Sequence, residues 1–129
     1  SREGIEAGFQ EQPDPARILG SASKLAWLER QESGHQFDIP CLSLGTARIL
    51  HMPGELFVEY QLSAKKQRPD LFVAMAAYGD YSPGYIGTAV AYEQGGYETS
   101  EAASNVAPEV EGVLMGAVKQ LLGGPPSAE

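Results

Sequence analysis

The chain has 129 residues, 43% of them hydrophobic and 20% charged, which suits one compact domain with disorder confined to its ends. Its formal charge of −8 argues against nucleic acid as a partner, because a phosphate backbone is gripped chiefly by Lys and Arg. One cysteine, Cys41, cannot form an internal disulfide, and no apolar run reaches the length of a membrane span, which reads as a soluble chain.

Residues 1–13 carry several Glu and Gln and few apolar groups, so they read as a loose leader. An opening at Ser1 without methionine fits a piece of a longer protein. A single α/β domain is expected over 14–123, followed by a tail at 124–129. Asp14-Pro15 supplies a cap and a preset first helical residue, with Ile18, Leu19, Ala22, Leu25 and Ala26 recurring at helical spacing until Gly34 stops the helix.

Two short apolar runs, 37–44 and 47–52, flank Gly45-Thr46 and predict a pair of strands joined by a tight turn. Pro40 marks the first as an edge, and Cys41 is expected to be a small buried thiol within it. Pro53-Gly54-Glu55 then opens a second helix with Leu56, Phe57, Tyr60 and Ala64 on its apolar side. The cluster Lys65, Lys66 and Arg68 reads as that helix's carboxyl end, where cations suit the dipole.

The continuous apolar run 71–78 predicts a strand covered on both faces at the centre of the sheet. Residues 80–99, rich in Gly and Tyr, predict a long loop with one short helical turn near 89–93, and a loop of that length points to function. A last helix follows Pro108, with Val110, Val113, Leu114, Ala117, Val118 and Leu121 on one face and Gly123 at its end. The fold class expected is α/β: a mixed sheet of about three or more strands with three helices, as a fragment of a larger catalytic domain.

Short catalytic signatures are missing, and His35 and His51 are too few for a zinc site built from this chain alone. Two features remain. Glu55, directly after a strand and at a helix start, either grips a cation or simply complements the helix dipole. Tyr85, in Ser82-Pro83-Gly84-Tyr85-Ile86-Gly87-Thr88, belongs to a cluster with Tyr78, Tyr81, Tyr92 and Tyr97. Those rings either pack a glycine-rich loop or turn one phenol toward a metal or substrate oxygen.

The order Pro53-Gly54-Glu55, a strand, Ser82 to Thr88 and then Tyr92-Glu93-Gln94-Gly95-Gly96-Tyr97-Glu98 resembles the carboxy-terminal part of the catalytic domain of neutral/alkaline ceramidases, and more closely the shorter bacterial ceramidase-like proteins. The resemblance runs from about Phe37 to Leu122. It implies a zinc-dependent hydrolase of linear amides such as N-acyl sphingoid bases, with Glu55 and Tyr85 as metal ligands and Tyr85 also at the reaction centre. Two further histidine ligands would come from an upstream half of the same domain, since neither His35 nor His51 falls in a matching motif. The chain alone is then expected to hold no zinc and to be inactive, and its uncovered apolar surface to drive self-association. The resemblance also implies a secreted or periplasmic setting. From another class, a non-catalytic binding or scaffold module would use the Tyr-rich loop for a small ligand or protein partner.

Overall fold

A computed structural model describes residues 1–10 and 14–123 and divides them into two compact units, 1–36 and 37–123, where the sequence predicts one domain from residue 14. The first unit is a helical pair, α1 (Arg2–Gln10) and α2 (Pro15–Glu32). Most of the expected leader is therefore helix, while residues 11–13 and the expected tail at 124–129 lie outside the described residues. Arg2, Ile5 and Phe9 are half-buried at helical spacing, which gives α1 one contact face despite its sparse apolar content.

Arg2 reaches Glu32 at 2.6 Å, with Glu6 and Glu29 at 3.7 and 3.6 Å, so the start of α1 lies beside the end of α2. Helix α2 begins as the sequence predicts: the Asp14 carboxylate accepts the Ala16 N–H. At its end Gly34 and His35 donate to the carbonyls of Gln31 and Arg30, the paired closure that a glycine after the cap permits. The inward face of α2 differs from the predicted stripe. Ser21, Leu25, Trp27 and Leu28 are half-buried, whereas Leu19 is 68% exposed.

In the second unit β1 (Cys41–Leu44) and β2 (Ala47–His51) form the expected antiparallel hairpin across Gly45-Thr46. Strand β4 (Phe72–Ala76) pairs in parallel with β2, giving the order β1-β2-β4 and a mixed sheet. The centre is thus β2. Strand β4, predicted to be central, lies at an edge, and its Met75 N–H is taken by the Gln61 side chain. Cys41 is half-buried at the opposite edge.

Alternation of side chains sends Leu50 and Val73 to one face of the sheet, where they meet α3 (Val58–Gln67) and α5 (Val110–Leu121). Tyr60, Ala64, Leu114, Val118 and Leu122 complete that core with Met52 and Ile86. Val113, predicted to face inward, is 70% exposed. The basic cluster does close α3, with Lys65 and Lys66 in its last turn and Arg68 at its cap. Arg68 also pairs with Asp70 at 2.7 Å and donates to the Leu122 carbonyl, which ties the ends of α3 and α5 together.

A second, smaller sheet is made by β3 (Glu55–Leu56) and β5 (Tyr85–Ile86), running parallel. The short α4 (Ala89–Gln94) follows, capped by the Thr88 hydroxyl. The α/β class stands, with five helical segments among the described residues where three helices are predicted: α1 is additional, and α4 is the short helical turn expected near 89–93. No helix among the described residues is long and apolar enough to cross a membrane.

Candidate functional site

Because β2 and β4 are parallel, both release the chain at the same rim, the place where sheets of this kind leave room for ligands. The two departing segments are bonded to each other. Gly79 donates to Met52, Tyr78 to Gly54 and Gly54 to Tyr81, at 2.8 to 3.0 Å. This brings residues 53–57 and 78–86 side by side, and β3 pairs with β5 through Glu55 N–H to Gly84 carbonyl and Phe57 N–H to Ile86 carbonyl, at 2.9 and 3.0 Å.

Glu55 and Tyr85 are Cα partners in that register, as are Leu56 and Ile86. Alternation along a strand puts the first pair on one face and the second on the other. Ile86 is fully buried, so Glu55 and Tyr85 face outward together. The sequence places Glu55 at the first turn of a helix. In the structure it lies in a strand, with Phe57 as the cap of α3, so a helix terminus does not account for it.

Two glycines make this close pairing possible. Gly54 has φ +60°, and a Cβ there would lie 2.6 Å from the Gly84 carbonyl oxygen. Gly84 has φ +83°, and its Cβ would lie 2.2 Å from the Ala103 oxygen. Behind β5, Tyr85 N–H donates to Ala103 and Asn105 N–H to Pro83, which fixes the far side of the strand. Gly87 is enclosed as well: a Cβ there would meet Thr99 Cγ2 at 3.0 Å.

An open cleft of about 370 Å³ lies over the outward pair, lined by Glu55, Leu56, Phe57, Val58, Glu59, Tyr85 and Glu98. The Tyr78 hydroxyl donates to Glu55 Oε2, and Tyr97 meets the Tyr85 ring edge-on with centroids 6.3 Å apart. The Glu55 charge pushes the Tyr85 phenol above its ordinary value, with Glu98 acting in the same direction. Its hydrogen bond from Tyr78 does likewise to that phenol. Tyr78 and Tyr81 hold positive φ, 56° and 76°, a costly backbone state for residues other than glycine that clusters at functional sites.

The other tyrosines divide as the sequence leaves open. Tyr92 is a packing residue whose hydroxyl meets Ser104 Oγ at 2.7 Å, and Tyr81 stacks on Phe37 with centroids 4.8 Å apart. Tyr60, outside the cluster, is fully buried and donates to the Gly87 carbonyl at 2.9 Å. His51 lies half-buried on β2 and His35 follows α2, and neither lines the cleft. The roles of Tyr78 and Glu98 are not visible in the sequence, where nothing marks the one as a donor to Glu55 or the other as a cleft wall.

A carboxylate and a phenol are oxygen donors that suit a divalent cation, but a catalytic zinc takes three protein ligands. Among the described residues no three His, Cys, Asp or Glu side chains converge on a possible metal position. In type, the two oxygen donors suit a divalent cation; in number, they fall short of the three protein ligands of a catalytic zinc. No family model, curated protein or solved structure matches the chain.

Proposed function

We propose that this chain is the carboxy-terminal part of a zinc-dependent hydrolase of linear amides, similar to the ceramidases and acting in a secreted or periplasmic setting, and that it contributes Glu55 and Tyr85 to the metal site. The observation that carries the reading is the parallel register that sets Glu55 beside Tyr85 on the open face of β3 and β5. Two oxygen donors thirty positions apart converge on one cleft, and the Tyr78 hydroxyl donates to the carboxylate.

In this reading zinc supplies an activated water when bound. The chain's own residues orient the cation through Glu55, present the Tyr85 hydroxyl to the metal and the reacting carbonyl, and line the approach for the acyl chain with Leu56, Phe57 and Val58. The products are a fatty acid and an amine. The remaining ligands are two histidines of an upstream polypeptide, so the chain alone is inactive.

The test is zinc-dependent release of fatty acid from an N-acyl sphingoid base, assayed with the chain alone and joined to that upstream polypeptide. Activity restored by joining, and lost in Glu55→Gln and Tyr85→Phe, supports the proposal. Unchanged rates in both variants remove these residues from the site. The exposed rings of Tyr78 and Tyr97, 64% and 67% accessible and set against Glu55 and Tyr85, favour a second reading in which this surface binds a small cationic ligand without chemistry. Tight binding of such a ligand by an assembled protein that shows no zinc dependence would select it.

A further inference from the structure

The cleft over Glu55 and Tyr85 holds charge to which the metal gives no role. Glu59 and Glu98 line it together with Glu55, beside Tyr85 and the apolar Leu56, Phe57 and Val58, and none of these lining residues is Lys, Arg or His. Glu55 takes the Tyr78 hydroxyl. Glu59 and Glu98 lie exposed, and among the described residues neither is in an ion pair. Glu98 returns to β5 after α4 because Gly95 and Gly96, with φ +75° and +133°, turn the chain, and Tyr97 then meets the Tyr85 ring edge-on. The Glu98 charge reaches the Tyr85 phenol and helps to raise it. Like charges gathered in one cleft repel each other and focus a field that draws cations and drives off anions.

We propose that the amide this cleft accepts carries a positive charge on its amine side, and that Glu98, with Glu59, determines that specificity by receiving it. The inference rests on the reading of the cleft as a hydrolase site. The exposed Tyr97 ring next to Glu98 gives an ammonium group a second attraction, while Leu56, Phe57 and Val58 line the path of the acyl chain. Hydrolysis breaks the C–N bond: the acyl carbon takes the hydroxyl of water and the nitrogen its hydrogen. The acid then gives its proton to the amine and leaves as a carboxylate, which Glu59 and Glu98 repel. Neutral linear amides, N-acyl sphingoid bases included, are held less tightly than amides of diamines. Amides that end in a carboxylate are shut out.

Binding to the chain itself, followed without zinc by NMR titration of the Tyr85, Tyr97 and Glu98 resonances, tests it. N-octanoyl diaminobutane is expected to bind about fivefold tighter than the neutral N-octanoyl butylamine, with the gap narrowed by salt, and N-octanoyl aminobutyrate not to bind. Bare diaminobutane, which leaves the apolar residues without a partner, is expected to bind at least about tenfold more weakly than its amide. Glu98→Gln, at an exposed position that leaves the fold intact, is expected to cut the gap between charged and neutral amides below about twofold without changing affinity for the neutral one. Glu59→Gln narrows it as well, whereas Glu109→Gln, an exposed carboxylate outside the cleft, preserves it. Equal affinity for the charged and neutral amides, binding of the anionic one, or no binding of any probe would each overturn the proposal. So would a gap that survives Glu98→Gln or closes equally in Glu109→Gln, or a bare diamine that binds as well as its amide. Neither zinc nor turnover enters these measurements, so their failure is distinct from failure of the hydrolase reading, which the zinc-dependent release of fatty acid decides.

Discussion

Glu55 and Tyr85, thirty positions apart in the chain, are direct neighbours across a pair of two-residue parallel strands. The consequences are both electrostatic and steric, and each can be measured.

The Glu55 charge raises the Tyr85 phenol, and its hydrogen bond with Tyr78 raises that one too. Removing the charge in Glu55→Gln is expected to bring both back toward the ordinary tyrosine value near ~10 in a tyrosinate absorbance titration. The sign for stability follows. A phenol with a raised folded value contributes stability below its unfolded pKa and loses it as pH rises through the folded one. The wild-type chain is therefore expected to weaken in alkali more steeply than Glu55→Gln, and parallel curves would show that the groups do not interact.

The glycines behind the site give a graded stability series. Gly84→Ala combines a positive φ with a Cβ placed 2.2 Å from a carbonyl oxygen, and is expected to cost at least ~2 kcal/mol in urea unfolding. Gly116→Ala, in open space within α5, is expected to stabilise by about 0.5–1 kcal/mol.

Tyr60→Phe tests the core beneath the cleft. The buried hydroxyl donates to the Gly87 carbonyl, and its loss leaves that acceptor unpaired in the interior, a cost of about 1–3 kcal/mol. An unchanged unfolding midpoint would mean that water replaces the bond.

Helices α2 and α5 and the hairpin are legible in the sequence because each carries its own punctuation: Asp14-Pro15, Gly34, Gly45-Thr46, Gly123. Strands β3 and β5 are not, since two residues cannot display a period and their pairing depends on the loops around them. The run 71–78 misleads for a definite reason. An apolar face left open and an apolar face covered by a neighbour look the same in sequence, so edge strand β4 reads as central. Helix α1 escapes notice because its half-buried face, with Arg2, Ile5, Gly8 and Phe9, carries just two large apolar side chains among the described residues. At the site, residue identities can be read from motif order, but the register that joins Glu55 to Tyr85 belongs to the fold.

The Asp70 carboxyl is held below its usual range chiefly by the hydrogen bond from Arg68. A lowered folded value contributes stability above the unfolded pKa and loses it as pH falls through the folded one, so the contribution fades below about pH 4. Asp70→Asn is expected to flatten the acid limb of the unfolding midpoint against pH, while an unaltered limb would assign acid sensitivity elsewhere.

The central claim, that the paired carboxylate and phenol face one cation, is tested most directly by titrating the protein with zinc while following the Glu55 carboxyl and Tyr85 ring resonances by NMR. Binding that shifts both together once the upstream polypeptide is joined, that is missing from the chain alone and that disappears in Glu55→Gln and in Tyr85→Phe, is the result the account predicts. Zinc that moves only His35 or His51, or that binds both variants as it binds the wild type, would contradict it.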